Sequence, residues 1–430
     1  MLQIIQPKRF SEGCISSHSF IISQNGAVFG SGSNKDGQLG VGNYTRSFST
    51  PQEIKFDQKI KQIATGINHS LFLDENGVVY SCGNNYHSQL GLGNNNKKTK
   101  PRNLPQIIEK FHEPIVEICC SSISSLFRGI SGKVYGCGCQ LGLNYYNDQP
   151  FPIEIPTKDE KIGQISASIK HAILLTITHK ILVFGSNSYG RIGFSSENKY
   201  IKYPTETLLS KKNEKINQIK CGYDFSLFLD SEGKLFGCGR NDNFQLGFDS
   251  NGKTQFSIVE INTNQQKISK ILSVGAFHSF VLNEKNEIFC FGSNSDGQLG
   301  LQDSSIKNST FRKFEFHSKI IQIESIGVHT FFLSQNGEIF SCGYNNYGQL
   351  CLGTLTPKEH KIQLTKFDRL LCLFPWTRKL HFSFTHPFQK IVYFLLWLIY
   401  FQDEYYYFSE ISEDVLIYVV IPLIPDEFCI

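Results

Sequence analysis

Short hydrophobic runs alternate with polar turns along most of the chain, and residues 59–110 show the pattern in full. The first three runs are Ile60 to Ala64, Ser70 to Leu73 and Val78 to Cys82. Asn76-Gly77, between the second and third runs, is a strong hairpin signal. A fourth run, Pro105 to Ile108, begins with a proline, which suits an edge strand. The pattern predicts four short antiparallel strands, which is the content of one propeller blade.

The tetrapeptide Gly-Gln-Leu-Gly, or a close variant, recurs seven times at a nearly constant interval. Its central residues are Gln38, Gln89, Gln140, Arg191, Gln245, Gln298 and Gln349, separated by 51, 51, 51, 54, 53 and 51 residues. A fixed period of this size indicates one supersecondary unit that is copied and stacked. Seven copies predict a closed ring, an all-β, seven-bladed β-propeller over residues 2–367.

A turn position keeps the same register in six copies, twelve residues before the central residue. These positions are Gly26, Gly77, His179, Gly233, Asn286 and Gly337. In the third copy, Gly132 precedes Gln140 by only eight residues. We therefore expect the third blade to lack four residues of one loop.

Twenty residues before the central position, five copies carry a histidine: His18, His69, His171, His278 and His329. We call this the histidine slot; Ser124 and Asp224, the latter shifted by one residue, stand near it in the other two copies. A ring spreads equivalent residues around its axis, whereas zinc needs converging ligands. We expect these histidines, with Gln38, Gln89, Gln298 and Gln349, to be structural residues of the blades and not metal ligands.

Bulk composition narrows the possible functions. The net charge is +4, with the repeats at +8 and the last 63 residues at −4, so a weakly basic ring could meet an acidic partner. The chain lacks the dense basic stripe of a specific nucleic-acid binder. Its 13 cysteines include no Cys-x-x-Cys pair, and residues 1–10 lack the apolar run of a signal peptide. We expect a cytoplasmic location, with the nucleus as an open alternative.

Enzymatic chemistry has no clear sequence signature here. The repeated glycines, such as Gly30, Gly32 and Gly37, are not followed by Gly-Lys-Ser/Thr or by a helix, so a phosphate loop is not expected. No Ser, His and Asp set and no carboxylate pair stands apart from the repeat pattern. We expect a protein that is not an enzyme and that binds no cofactor and no metal.

The repeat words Gly32-Ser33-Asn34-Lys35-Asp36-Gly37-Gln38-Leu39-Gly40 and Gly292-Ser293-Asn294-Ser295-Asp296-Gly297-Gln298-Leu299-Gly300 resemble those of the regulator of chromosome condensation repeat family. The resemblance covers residues 2–367. It implies a seven-bladed propeller. Family members include a plant ultraviolet photoreceptor that uses clustered propeller tryptophans; here the only tryptophans are Trp376 and Trp397, outside the repeats.

The founding member of that family is a guanine-nucleotide exchange factor for the small GTPase Ran, with acidic residues beside the histidine slot. The resemblance therefore implies a possible exchange activity. In this chain the residues just before the slot include Asn68 and Lys170, and Asp224 is the one nearby carboxylate. We take Asn68, Lys170 and Asp224 as candidates for a partner-binding face.

The tail, residues 368–430, departs from the repeat. Ile391 to Phe401 is an apolar run of eleven residues, shorter than the 18 or more of a membrane span. Helices are expected after Pro387 and after Ser412, which is a good N-cap. They are apolar nearly all round and need a cover, either the propeller itself or an adaptor protein.

These observations predict a non-enzymatic intracellular scaffold or adaptor that binds an unidentified protein. Variable loops at Asn94 to Lys100, Asn144 to Gln149 and Asp249 to Lys253 would carry its specificity. Two alternatives stay open. One is a guanine-nucleotide exchange factor for a small GTPase, Ran or another, and the other is a substrate adaptor of a ubiquitin ligase.

Overall fold

Twenty-eight strands form seven four-stranded antiparallel sheets in the computed structural model, which describes residues 9–10, 16–23, 26–93, 100–139, 148–195, 197–207, 209, 214–251, 253–301 and 308–366. Each sheet uses four consecutive strands and is one blade. The predicted all-β, seven-bladed propeller is confirmed.

The strands of blades 1 to 4 are β1 (Arg9–Phe10), β2 (His18–Ile22), β3 (Val28–Ser33), β4 (Ser47–Ile54); β5 (Ile60–Thr65), β6 (His69–Asp74), β7 (Val79–Gly83), β8 (Arg102–Ile107); β9 (Ile115–Cys120), β10 (Ser124–Gly129), β11 (Val134–Gly138), β12 (Gln149–Glu154); and β13 (Ile162–Ala167), β14 (His171–Thr176), β15 (Ile181–Ser186), β16 (Tyr200–Glu206). Those of blades 5 to 7 are β17 (Ile216–Cys221), β18 (Phe225–Asp230), β19 (Leu235–Gly239), β20 (Gln255–Glu260); β21 (Ile268–Val274), β22 (His278–Asn283), β23 (Ile288–Ser293), β24 (Asn308–Lys313); and β25 (Ile320–Ile326), β26 (His329–Ser334), β27 (Ile339–Tyr344), β28 (Lys358–Leu364).

The first strand of each blade lies beside the first strand of the next, as β5 lies beside β9 and β9 beside β13. The first strands therefore surround the axis, and the largely exposed fourth strands form the rim. Connections between first and second strands, and between third and fourth strands, emerge on one side of the ring, which we call the loop face. The tight turns between second and third strands emerge on the other side.

The tight turn of blade 2 shows why the hairpins form where the sequence predicts them. Asp74 Oδ1 accepts hydrogen bonds from the backbone N–H groups of Asn76 at 3.0 Å and Val78 at 2.8 Å. Gly77 follows with φ +87°, a left-handed conformation that glycine adopts without strain. His179 and Asn286 occupy the same turn position with φ +66° and +61°.

The fourth strand of blade 2 begins earlier than expected. It runs from Arg102 to Ile107, so Pro105 lies inside the strand and not at its start. The pairing with β7 shifts register between Ser81 and Gly83. A bulge on an edge strand accommodates a residue that has no N–H to donate, so the edge assignment holds while the predicted boundary was wrong.

The hydrophobic core lies between blades. Phe20 of blade 1 and Phe72 of blade 2 are fully buried, with ring centroids 5.2 Å apart and edge to face. Phe280 of blade 6 and Phe332 of blade 7 repeat the arrangement at 5.7 Å. Burying a side chain of this size contributes about 1.5–3 kcal/mol, so contacts between neighbouring blades stabilise the ring.

Glutamine side chains join successive first strands near the axis. Gln62 donates to Ile118 O at 3.1 Å and accepts from Ile118 N at 3.0 Å, which imitates one pair of β-ladder bonds. Gln164 with Ile219, and Gln218 with Ile271, make the same double contact. These bonds satisfy backbone groups that twisted, diverging strands cannot pair directly.

Blade 7 closes on blade 1 through contacts of the kind that join other blades. His329 Nε2 lies 2.7 Å from Ser19 Oγ, and Gly353 N donates to Ser49 O at 2.9 Å. The four strands of blade 7 all come from residues 320–364, so closure does not exchange a strand between the two ends of the propeller.

The predicted boundary at residue 367, the tail 368–430 and the helices expected after Pro387 and Ser412 lie outside the described residues, as do most of the variable loops 94–100 and 144–149. Among the described residues, no helix is long and apolar enough to cross a membrane.

Candidate protein-binding face

The five repeat histidines are buried, and each connects its blade to the next. His18 Nε2 lies 2.8 Å from Ser70 Oγ, and Ser70 Oγ donates to Gln38 O at 2.7 Å. Because the hydroxyl proton is used by that carbonyl, His18 Nε2 must donate to Ser70. The histidine–hydroxyl contact recurs for His69–Ser125 (3.2 Å), His171–Ser226 (3.0 Å), His278–Thr330 (2.8 Å) and His329–Ser19 (2.7 Å).

Burial keeps these imidazoles neutral. It lowers the pKa of His18, His278 and His329 to about 3 and that of His69 to about 4. The pKa of His171 also falls well below its ordinary value, first through burial and then through the nearby charge of Arg191. Each ring donates its Nε2–H across a different pair of adjacent blades, so the five histidines do not converge on a common point.

At two places in the ring, adjacent blades lack the histidine–hydroxyl hydrogen bond. At the third copy, Ser124 stands in the histidine slot, and the residue that should supply the hydroxyl on blade 4 is Ala172. At the fifth copy the strand register places Phe225, paired with Gly239, in the slot; Asp224 is the residue before it. Asp224 therefore stands one residue before the slot, which is the offset that the repeat spacing indicates.

The central glutamines shape the loop between third and fourth strands. Gln38 Oε1 accepts from Asp36 N at 2.9 Å, and the same bond joins Gln89 to His87, Gln298 to Asp296 and Gln349 to Tyr347. Gln38 also reaches the next blade, where its Nε2 donates to Asn68 Oδ1 at 3.4 Å. Asn68, a candidate for the partner face, is thus half-buried and engaged in an interblade contact.

Blade 4 replaces this glutamine by Arg191, and the joint to blade 5 becomes charged. Arg191 Nη2 lies 2.8 Å from Asp224 Oδ1, and each side chain is 5% exposed. Arg240 Nη1 lies 3.7 Å from Asp224 Oδ2, while its Nη2 binds Asp242 at 2.5 Å. Arg191 and Asp224 occupy the positions of Gln38 and Asn68, so an ion pair stands where another joint has a pair of amides.

Burial is the largest electrostatic influence at this joint. It raises the pKa of the Asp224 carboxyl, although Arg191 and Arg240 oppose the change. It lowers the pKa of Arg191, again against the attraction of Asp224. Around Asp242, burial is outweighed by hydrogen bonds from Arg240 and Gln245, which lower its pKa. Asp224 is therefore committed inside the protein and is not free to meet a partner.

The surface above this ion pair is aromatic and cationic. Tyr189 is 47% exposed, and its ring centroid lies 5.3 Å from the guanidinium carbon of Arg240 and 6.0 Å from that of Arg191. Lys170 is exposed on the first loop of blade 4, and its backbone oxygen accepts a hydrogen bond at 2.7 Å from the N–H of Ser186, three residues before Tyr189. We call Lys170, Tyr189 and Arg240 the Tyr189 patch. Of the three candidates for the partner face, Lys170 alone belongs to it.

Closer to the axis, the loop face carries half-buried apolar residues. The rings of Tyr223 and Phe277, on adjacent blades, are 5.2 Å apart, and Ile67 is 37% exposed. Neighbouring loops touch through backbone bonds, such as Tyr223 N to Ala276 O at 3.1 Å. The loops around the axis on this face therefore form a connected, partly apolar surface beside the Tyr189 patch.

A second departure from symmetry lies between blades 2 and 3. His87, Cys139 and Asp148 place one ligand-type atom each within 4.8 Å of one another, and His87 Nδ1 is 3.6 Å from Asp148 Oδ1. Burial, followed by the neighbouring Asp148, raises the pKa of the Cys139 thiol to about 11. The sequence predicts no metal site on the basis of the repeat histidines, and none of these three residues belongs to that set.

Two family models together match most of the propeller. The model of the RCC1-like domain matches residues 110–375, and the regulator of chromosome condensation (RCC1) repeat matches residues 25–73 and 76–127. The chain belongs to the RCC1 repeat family.

Curated relatives in this family include proteins of different activity. The ultraviolet-B receptor UVR8 of Arabidopsis thaliana is 31% identical over 69% of this chain and 67% of its own length. The secretion-regulating guanine nucleotide exchange factor of Bos taurus is 30% identical over 54% of this chain and 52% of its own length. The chain thus spans about half to two thirds of these relatives. The likeness to these RCC1-repeat relatives supports a role as a scaffold or regulator.

Among solved structures, yeast RCC1 (Prp20) bound to Kap60 is 18% identical and superposes with a TM-score of 0.70 over 82% of this chain and 85% of the yeast chain. At that identity the likeness shows the shared propeller fold alone.

Sequence reasoning missed Tyr189, Arg240 and the His87 group. A signal for Tyr189 and Arg240 was present, because Arg191 is the one central residue that is not glutamine. The signal for the His87 group was the shortened loop of the third copy. Neither signal reveals which distant residues meet there, since that depends on how adjacent blades pack.

Proposed function

We propose that this RCC1-repeat propeller is a non-enzymatic protein-binding scaffold that recognises its partner with the Tyr189 patch of the loop face. The observation that carries the proposal is the replacement of an interblade amide pair by the Arg191–Asp224 ion pair beneath a half-exposed tyrosine. Tyrosine and arginine are the residues most enriched at the energetic centres of protein interfaces.

The patch is organised before any partner arrives. Tyr189 has φ +61°, and its ring lies against Arg240, whose guanidinium is fixed by Asp242. Immobilising a mobile side chain on binding costs about 0.5–1.5 kcal/mol in conformational entropy. A side chain that is already immobile avoids most of this cost. The exposed Lys170 and the +8 charge of the repeats favour a partner that presents an acidic segment.

An intracellular location suits this role. All ten cysteines among the described residues are free, and eight of the ten are buried and behave as small apolar residues, such as Cys82, Cys238 and Cys342. A reducing compartment, cytoplasmic or nuclear, preserves that state.

The proposal is tested with Tyr189→Ala and, as a matched control, Tyr203→Ala. Tyr203 is 51% exposed and also has a lysine over its ring, but it lies on the outer strand of blade 4. Partners captured by the wild type should be kept by the control and lost by Tyr189→Ala. Purified partner should then bind Tyr189→Ala with an affinity about 30-fold lower, equivalent to about 2 kcal/mol. Equal capture by both variants would move the binding site away from the patch.

Guanine-nucleotide exchange on a small GTPase is the second candidate, and the 30% identity to the secretion-regulating exchange factor favours it. An exchange factor binds the GTPase better without nucleotide and so weakens nucleotide affinity by the same coupling free energy. The test is release of fluorescent GDP from a panel of purified small GTPases at substoichiometric propeller. Accelerated release would replace the scaffold proposal, and unchanged release across the panel would remove this candidate.

A further inference from the structure

The loop between the third and fourth strands of blade 3 is anchored at both ends by residues that could ligate a metal. Gly138 pairs with Gln149 at the end of the sheet, so Cys139 and Asp148 are the residues immediately beyond the ends of β11 and β12. The corresponding pairs elsewhere are Ser33–Ser47, Ser186–Tyr200, Ser293–Asn308 and Tyr344–Lys358. A thiol facing a carboxylate is peculiar to blade 3 among these described pairs.

Both strands hold their ends firmly. Cys139 N donates to Ile123 O at 3.2 Å, the bond that the equivalent residue makes in other blades, and Ser124 Oγ donates to Cys139 O. On the second strand, Pro150 O accepts from Gly93 N of blade 2 at 2.8 Å. The backbone of Cys139 is therefore held by hydrogen bonds at both its N–H and its carbonyl, and Asp148 lies two residues before a bonded carbonyl of the other strand.

Blade 2 supplies the third group. His87 stands two residues before Gln89, whose Oε1 accepts from His87 N at 2.9 Å. Its imidazole Nδ1 lies 3.6 Å from Asp148 Oδ1, and all three ligand-type atoms lie within 4.8 Å of one another. Ligands of a tetrahedral zinc ion, at bond lengths of about 2.0–2.3 Å, are roughly 3.3–3.8 Å apart. Small side-chain rotations are enough to reach that spacing.

We propose that His87, Cys139 and Asp148 bind a zinc-class divalent metal ion that joins blade 2 to blade 3. Sulfur, imidazole nitrogen and carboxylate oxygen are the three ligand types that zinc accepts, whereas Mg²⁺ and Ca²⁺ require oxygen. The three protein ligands leave the fourth position for water or for a group from a partner. His87 and Asp148 are 48% and 38% exposed, so the ion can enter from solvent.

The proposal is tested by titrating the full chain, reduced and stripped with a chelator, with zinc in competition with a chromophoric chelator. Wild type should bind zinc, and His87→Ala, Cys139→Ser and Asp148→Asn should each lose the same ion. His112→Ala and Cys119→Ser are the matched controls, because these residues lie outside the cluster, and they should retain it. Comparing each variant with the wild type separates this site from any other zinc bound by the full chain.

Cobalt provides a second readout that a purely structural role would not change. Bound at this site, Co²⁺ should show thiolate-to-metal charge transfer in the wild type, and Cys139→Ser should abolish it while Cys119→Ser keeps it. Circular dichroism of the metal-free variants confirms that they are folded. Zinc stoichiometry that is unaffected by Cys139→Ser, or the absence of zinc binding by the wild type, would overturn the proposal.

Discussion

Arg191 and Asp224 form a buried ion pair at the positions that Gln38 and Asn68 hold in another blade joint of the same molecule. The charged pair is 2.8 Å apart and the amide pair 3.4 Å apart. One scaffold thus presents two solutions to the same interblade contact, and each serves as a reference for the other. Buried charges are costly to desolvate, so the ion pair stabilises the joint only while both partners remain.

Replacing Arg191 by Gln should destabilise the propeller by about 3–5 kcal/mol, because Asp224 is left buried with only the more distant Arg240. Asp224→Asn should have a cost of the same order, since it strands Arg191. The double variant Arg191→Gln/Asp224→Asn rebuilds the pair found between Gln38 and Asn68. We expect its free energy of unfolding, measured in urea, to lie within about 1 kcal/mol of the wild-type value.

The thermodynamic cycle formed by the three variants measures the coupling directly. Single costs that simply add in the double variant would mean that the two charges are stabilised by separate neighbours. The double variant also tests the proposed function, because it keeps Tyr189 while removing one of the two guanidinium groups beside it.

Acid should destabilise the propeller through its interblade histidines. Their pKa values in the folded state, about 3 for His278 and about 4 for His69, lie below the ordinary 6.5. The unfolded chain therefore binds more protons, and the stabilisation is complete above pH 6.5 and is lost as the pH falls to about 4 for His69 and to about 3 for His278. Within that window, each histidine should lower the free energy of unfolding by about 1.4 kcal/mol for each unit by which the pH falls.

His278→Gln isolates one such contribution. It should lower the free energy of unfolding at pH 7.5, because the bridge to Thr330 is altered, yet it should make the decline below pH 6.5 shallower by about 1.4 kcal/mol per unit. The exposed His112→Gln serves as the control for loss of a histidine that takes no part in the interblade contacts. Parallel slopes for His278→Gln and wild type would show that this histidine is not neutral when folded. Urea denaturation at a series of pH values provides the measurement.

The fold could be predicted from the sequence because every blade repeats the same local signals. Asn76-Gly77 marks the hairpin, and the period of the central glutamines counts the blades. Pro105 was misplaced because a bulge changes where a strand begins without changing its hydrophobic pattern. Strand order and blade number therefore follow from the repeat, while the ends of edge strands depend on tertiary pairing.

The candidate site could not be read in the same way, since it consists of departures from the repeat. Asp224 stands one residue before the slot that Phe225 fills, and the register of β18 with β19 agrees with the offset in the repeat spacing. Arg191 and Asp224 meet across two blades. His87 and Asp148 lie near each other only because adjacent blades pack side by side. Such contacts arise from the ring and not from local sequence.

Ser226 and Ser279 provide the final test, because they hold equivalent positions on blades 5 and 6 with different partners. Ser226 Oγ donates to Arg191 O at 2.6 Å and lies 3.0 Å from His171 Nε2. Ser279 faces Phe225 in the slot, and its buried hydroxyl has no hydrogen-bond partner among the described residues.

Removing a bonded hydroxyl leaves buried groups unsatisfied, at a cost of about 1–3 kcal/mol, whereas removing an unpaired one relieves a desolvation penalty. Ser226→Ala should therefore lower the urea midpoint. Ser279→Ala should leave the midpoint unchanged or raise it, and equal losses in the two variants would contradict the assignment of bridges to individual joints. Introducing Phe225→His should reverse the behaviour of Ser279, because a new imidazole would then need that hydroxyl, and Ser279→Ala should become destabilising in that background.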